Sequence, residues 1–235
     1  MAQGMVLWEL GDRMRHVFFP VDCIVSLVHE MEDGASSEVA TVGNEGMLDV
    51  AVVMGAESAA RRARVESGGY AWRLPAEVIR RSFERSAAVQ ALLLRYFRAV
   101  LMQVAQSAAC NRHHTVDQQV CRLLLANVDR LRTRRIGATH EGIAGVLGVR
   151  REGVTEALGR LKKAGLIRHA RGVVWVDDRN GLVRRACECY GLIRCEFDRL
   201  RPVLAAAGGA KAAAGMGSGA NLRPAPQMLA GQGRF

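Results

Sequence analysis

Residues 139–167, THEGIAGVLGVRREGVTEALGRLKKAGLI, hold the densest set of side chains with chemistry to offer. Arg150, Arg151, Glu152 and Glu156 cluster at the start of a helical pattern. On a helix laid in the major groove of duplex DNA, N-terminal side chains meet base edges: arginine bridges guanine O6 and N7, and glutamate accepts from cytosine N4. Arg160, Lys162 and Lys163 follow with charge suited to phosphates. A solvated helical hairpin can carry such charges too, so the apolar register has to discriminate. Ile143 and Leu147 face inward from a first helix, Ala144 is small where a second helix crosses, and Gly148 supplies an unusual turn dihedral. Val149, Val154, Leu158 and Leu161 continue the apolar face of the second helix, which begins near Arg150. Thr139 is the expected N-cap of the first helix, with Glu141 in its first turn. Arg150 stands where Ser or Thr would cap well, and Gly153 costs roughly 1 kcal/mol relative to alanine inside a helix. Both concessions point to a demand on that surface other than stability. Residues 165–167 then lead into RHARGVVWV, two short strands around Arg171 and Gly172, which read as a wing.

A second group of reactive side chains is sulfur-rich. Cys187-x-Cys189 with Cys195, and Cys110 with His113 and His114, offer thiolates and imidazoles of the kind that hold zinc or an iron–sulfur cluster. Their spacing does not match a zinc ribbon, and buried thiols beside linker histidines account for them without a metal. No metal-ligand set is therefore assigned, and a redox- or metal-sensing regulator stands as the alternative function. With Cys23 and Cys121 the cysteines are irregularly spaced in a chain too long for a disulfide scaffold, which fits a reducing cytoplasm. No G-x-S-x-G, H-E-x-x-H, Walker or dinucleotide fingerprint is present, so no enzyme activity is expected.

The elements that must position these groups follow from periodicity. In residues 6–74, the runs VLWEL, HVFF, CIVSLVHEM, SEVATV, RARVES and YAWRL alternate with Gly, Asp and Pro punctuation, predicting an antiparallel roll or barrel. Glu32, Asp33, Gly34 and Ala35 are the expected hairpin turn between the third and fourth runs. Residues 75–112 read as one long helix without Pro or Gly until its end. Leu93, Phe97, Val100 and Val104 step by 4, 3 and 4, a coiled-coil seam to a second copy, with Leu94, Leu101 and Ala108 as an adjacent row. A purely internal core helix is the competing reading. Residues 113–204 then comprise a helix over about 116–131, the two-helix unit with its wing, and a last helix reaching about Leu204. Residues 205–235, rich in Ala, Gly and Pro, offer no periodic apolar face and are expected to be disordered.

The 235 residues carry 33 Lys and Arg against 23 Asp and Glu, a net charge of +10, nearly all of it arginine. That balance favours a polyanionic partner. No apolar run approaches the ~20 residues that span a bilayer, and the start lacks the charged and apolar regions of a secretion signal. No membrane partner is expected.

The order of strand-rich roll, long helix and winged helix-turn-helix resembles the Crp/Fnr transcription regulators over residues 6–202. HVFFPVDCIVSL, VGNEGMLDV, CNRHHTVDQQVCRLLL and ACECYGLIRCEFDRL resemble one branch of that family. The resemblance implies an α+β fold: a cyclic-nucleotide-binding-like roll, a dimerisation helix and a DNA-binding domain. It implies a homodimer on palindromic double-stranded DNA, with RNA polymerase as a further partner. The family's Arg-Glu-x-Val pattern falls on Arg151, Glu152 and Val154, and Glu156 takes the position of a third base-reading residue that is arginine in the cyclic-AMP receptor protein. Thr139 and His140 match positions that touch the DNA backbone, to which Thr155, Arg160, Lys162, Lys163 and Arg171 are added. Cyclic-nucleotide members carry Gly-Glu-x-Gly and Arg-Ser-Ala; here Gly43-Asn44-Glu45-Gly46 and Arg61-Arg62-Ala63 stand instead. Glu45, Arg61 and Arg62 thus form a degenerate ligand pocket with a bulky cation in place of a hydroxyl, and neither cyclic nucleotide nor another cofactor is expected. Relatives carry more chain before the strand that VLWEL resembles, so the roll is expected to be truncated or translation to start upstream, leaving an exposed sheet edge near Val6.

Overall fold

The structure is a computed structural model that describes residues 1–32 and 36–200. Each of the six predicted runs holds a strand: β1 (Val6–Trp8), β2 (His16–Pro20), β3 (Ile24–Glu30), β4 (Ser36–Val42), β5 (Arg62–Ser67) and β6 (Ala71–Pro75). All pairings are antiparallel. One sheet has the order β1-β5-β3-β4, and β2 pairs with β6 in a second. Val17, Val25, Leu27, Val42, Leu48 and Val65 fill the space within this roll. β3, central in its sheet, is buried on both faces from Ile24 to Val28, which is why that run reads as continuously apolar. β1 lies at the edge and leaves Val6 exposed, as expected. Of the predicted hairpin turn, residues 33–35 lie outside the described residues, as does the tail from residue 201. A short 3-10 helix, Val50–Met54, escaped the sequence reading; it is bracketed by positive φ at Asp49 and Gly55.

The single helix expected over 75–112 is two. α1 (Ala76–Arg85) and α2 (Ala87–His113) meet at Ser86, whose extended backbone (φ −127°, ψ 108°) lets its hydroxyl accept the Val89 N–H. An N-cap breaks a helix without Pro or Gly. α2 packs on the roll through Leu93, Tyr96, Ala99 and Gln103. The Tyr96 hydroxyl donates to the Met47 carbonyl at 2.9 Å, and Gln103 Nε2 donates to the Thr41 carbonyl at 3.1 Å. A Cβ at Gly46 would run into the Tyr96 ring and hydroxyl, so this approach requires glycine. Of the predicted seam to a second copy, Leu93 is buried against the roll, and Phe97, Val100 and Val104 pack half-buried on the same core. The exposed apolar side of α2 is Ala87, Ala91, Leu94, Leu101, Ala105 and Ala108. Contrary to the sequence expectation, α2 is long and apolar enough by length and composition to cross a membrane, with a mean hydropathy of 1.2 over its most apolar stretch. Its other face is spent on the roll, and it carries Arg95 and Arg98.

Two residues lead from α2 into α3 (Val116–Leu131), which opens with a capping box between Thr115 and Gln118. β7 (Arg135–Gly137), α4 (His140–Leu147), α5 (Arg151–Lys163), β8 (Ile167–Ala170) and β9 (Val173–Val176) follow, with a sheet order β7-β9-β8. β7 was not foreseen. Their core includes Val120, Leu124, Ile143, Leu158, Leu161 and Val174. α6 (Arg179–Arg185) and α7 (Cys189–Asp198) complete the described chain. α7, grouped with the winged unit by sequence, returns to α2: the Phe197 ring lies 6.3 Å from that of Tyr96, and Arg98 pairs with Glu196 at 2.8 Å.

Among the described residues, one ion pair joins the roll to the C-terminal unit. Glu45, in the turn after β4, meets Arg130 of α3 at 2.7 Å, with both side chains largely buried. Arg130 also donates to the Thr41 carbonyl at 3.3 Å. Removing one member of a buried pair strands the other, at about 3–5 kcal/mol. Glu45→Ala should therefore lower stability by about that amount in denaturant unfolding, and adding Arg130→Met should restore part of the loss.

Candidate nucleic-acid interface

The helix-turn-helix forms from the residues its register picked out. The Thr139 hydroxyl accepts the Gly142 N–H at 2.9 Å, capping α4, and Gly148 takes φ 65° as its C-cap. Ile143, Ala144, Leu147, Val154, Leu158 and Leu161 are buried, and Val149 is half-buried. Arg150 is the N-cap of α5 and makes no side-chain cap bond; its guanidinium is left to solvent. A Cβ at Gly153 would meet Val116 at an ordinary 3.9 Å, so packing does not require that glycine.

Local contacts gather the predicted site residues from three elements. His140 Nδ1 lies 2.9 Å from the Thr155 hydroxyl, which also donates to the Arg151 carbonyl at 3.0 Å. Arg151 reaches Glu141 at 4.0 Å and remains exposed. Ala138 N–H donates to the Gly172 carbonyl at 2.8 Å, bringing the wing tip beside Thr139. Arg171 (φ 46°) and Gly172 (φ 74°) form that tip, both with left-handed backbone. The first turns of α5, the start of α4 and the wing thus adjoin, with Glu152 and Glu156 exposed on α5. Arg150, Lys162, Lys163 and Arg171 are exposed and carry no ion pair among the described residues.

Arg160 departs from its expected role. Its guanidinium grips Asp117 of α3 through two bonds of 2.8 and 2.7 Å and touches Glu156 at 3.5 Å, so it braces α5. Thr139 and Thr155 likewise spend their hydroxyls locally. A residue the sequence reading missed is His169 on β8, whose ring meets His140 edge-on at 5.2 Å. Burial, then the charges of His140 and Lys162, hold its imidazole below the usual histidine range. Its place in the alternating run RHARGVVWV was the available signal.

The degenerate ligand pocket does not assemble. Arg62 pairs with Glu9 at 2.6 Å and with Glu30, Glu45 is held by Arg130, and Arg61 sits near Asp49. A cleft of about 400 Å3 instead opens between β4, α2, α3 and α7, with Glu38, Arg122, Arg130 and Arg194 on its walls. Ser26 and Thr41 donate to the Glu38 carboxylate, and burial pushes that carboxyl up. Arg122 Nε is buried without a hydrogen-bond partner. Residues from β4, the turn after it, α2, α3, α4 and α7 line this cleft, so no single motif announced it.

The cysteines and histidines separate. His113 and Cys195 are exposed, whereas Cys110, His114, Cys187 and Cys189 converge although spacing assigned them no ligand set. Burial, followed by hydrogen bonds with the neighbouring thiols, pushes the Cys187 thiol up to about 12.

Residues 118–185 match the Crp-like helix-turn-helix domain family. No curated protein matches the chain. Among solved structures, a CRP-family transcriptional regulator from Thermus thermophilus aligns with a TM-score of 0.67 at 18% identity, covering 79% of this chain and 95% of that one. FixK2 from Bradyrhizobium japonicum aligns with a TM-score of 0.64 at 14% identity, covering 79% and 94%. With its roll, its long helix and a matched helix-turn-helix in that order, the chain has the fold of the solved Crp/Fnr-family regulators and carries a Crp-like helix-turn-helix domain.

Proposed function

We propose that the protein is a cytoplasmic transcription regulator that binds an imperfectly palindromic DNA site as a homodimer, with RNA polymerase as a further partner. The observation that carries the reading is a set of exposed cations with no ion pair among the described residues: Arg150 beside the exposed Arg151 at the start of α5, Lys162 and Lys163 at its end, and Arg171 at the wing tip. Arg150, Arg151, Glu152 and Glu156 read base edges. Lys162, Lys163, Arg171 and His140 hold phosphates, while Arg160 keeps α5 in place on α3. The exposed side of α2 supports the dimer: Ala87, Ala91, Leu94, Leu101, Ala105 and Ala108 recur by 4, 3, 7, 4 and 3, the period of a two-stranded coiled coil. Two recognition helices then sit about one helical turn, ~34 Å, apart.

Arg151→Ala should cost about 1–3 kcal/mol on the cognate site and relax preference at one base pair, while Lys163→Ala weakens all sequences alike and lowers the salt slope by about one counterion. Cognate and scrambled duplexes titrated at two salt concentrations separate the two effects. Equal, uniform losses would remove Arg151 from base reading.

Leu94→Lys combined with Leu101→Lys should yield folded monomers by light scattering and a footprint on a single half-site. Phe97→Lys should instead unfold the roll. A dimer that survives the first pair would place the interface elsewhere.

His169 begins below its usual range, and DNA phosphates favour its charged form, so binding should take up a proton. Affinity should rise as pH falls from about 8 to 6, and His169→Gln should flatten that slope in fluorescence anisotropy.

A further inference from the structure

Where α2 ends, side chains from two distant stretches meet. Cys110 and His114 come from the last turn of α2 and its C-cap, and Cys187 and Cys189 flank the start of α7. Cys110 Sγ lies 3.6 Å from Cys187 Sγ, and Cys189 Sγ lies 3.5 Å from His114 Nδ1. All four donor atoms fall within 4.8 Å of one another. A zinc ion with Zn–S ≈ 2.3 Å and Zn–N ≈ 2.0–2.1 Å holds its tetrahedral ligand atoms ~3.5–3.8 Å apart.

The surroundings are those of ligands. Cys110, Cys187 and Cys189 form a buried group separate from both apolar cores. Aliphatic side chains would fill such a gap more favourably if packing were the sole demand. His114 turns Nδ1 to the sulfurs and Nε2 to the Glu188 carboxylate at 3.3 Å, the pairing that fixes the tautomer and orientation of a metal-bound imidazole. Gln106 Nε2 donates to Cys189 Sγ at 3.1 Å.

We propose that Cys110, His114, Cys187 and Cys189 bind one zinc ion in a closed Cys3His site that ties the end of α2 to the start of α7. A polynuclear iron–sulfur core needs its ligands spread more widely than this compact set. Three thiolates and one imidazole complete a tetrahedron with no position for water, so the site is structural. Binding is ligand exchange: the thiols release their protons to solvent, zinc sheds its waters, and no electron moves. The site is independent of the DNA reading.

The test uses the full chain purified with reductant under anaerobic conditions. Elemental analysis should find about one zinc per chain, and metal-stripped protein given cobalt(II) should develop thiolate charge-transfer and four-coordinate visible bands. Cys189→Ser should lose the bands and weaken zinc binding by about tenfold or more, while Cys195→Ser and His113→Ala keep both. If Cys189→Ser fails to fold, His114→Cys decides: it should retain metal and shift the cobalt spectrum to that of four thiolates. Free thiols with no zinc or cobalt uptake by the wild-type chain would overturn the site. So would stoichiometric iron and sulfide, or a Cys110–Cys187 disulfide in protein kept reduced.

Discussion

A 27-residue helix with apolar side chains on opposite sides can rest only one of them on the roll, and the described molecule is arranged along that contact. The roll covers α2 once, through Leu93, Tyr96 and Gln103, at a closeness that Gly46 alone allows. α7 adds a strip beside it through Phe197. What remains exposed is a set of Ala and Leu at coiled-coil period, interrupted by Arg98, and in the proposed dimer a second copy of the helix covers it. Its small side chains permit a close approach between helix axes.

The arginines divide by task. Arg130, Arg160, Arg168 and Arg179 each grip a carboxylate from another element or another part of the wing, and so hold the C-terminal unit together and against the roll. Arg150, Arg171 and the two lysines of α5 are left to solvent. Bidentate guanidinium pairs combine attraction with fixed geometry. An overall positive charge is therefore a poor guide to which cations face a polyanion; the partners decide.

The roll and the helix-turn-helix were legible because each rests on local signals: alternation cut by Gly, Asp and Pro in one, and Thr139, Ala144 and Gly148 in the other. The break at Ser86 was harder to see, since a lone serine is a cap only when its backbone is extended. The coiled-coil step of Leu93, Phe97, Val100 and Val104 packs on the roll, because period alone does not say which neighbour an apolar stripe faces. Glu45 was legible as a family position and illegible as the partner of Arg130, 85 residues away. The sulfur cluster is the sharpest case: Cys110 and Cys187 lie 77 residues apart, and no spacing rule reaches across a folded domain.

His114 and Thr115 alone separate α2 from α3, and each has its backbone spoken for, one as a C-cap and the other inside a capping box. Such a corner has almost no slack. With α7 packed back on α2 and Arg130 tied to Glu45, the corner is braced on both sides, and it fixes the direction in which the winged unit leaves the long helix. In the proposed two-fold assembly the corner would occur twice, and the distance between the two α5 helices would be gauged by a pair of such joints together with the contacts that brace them.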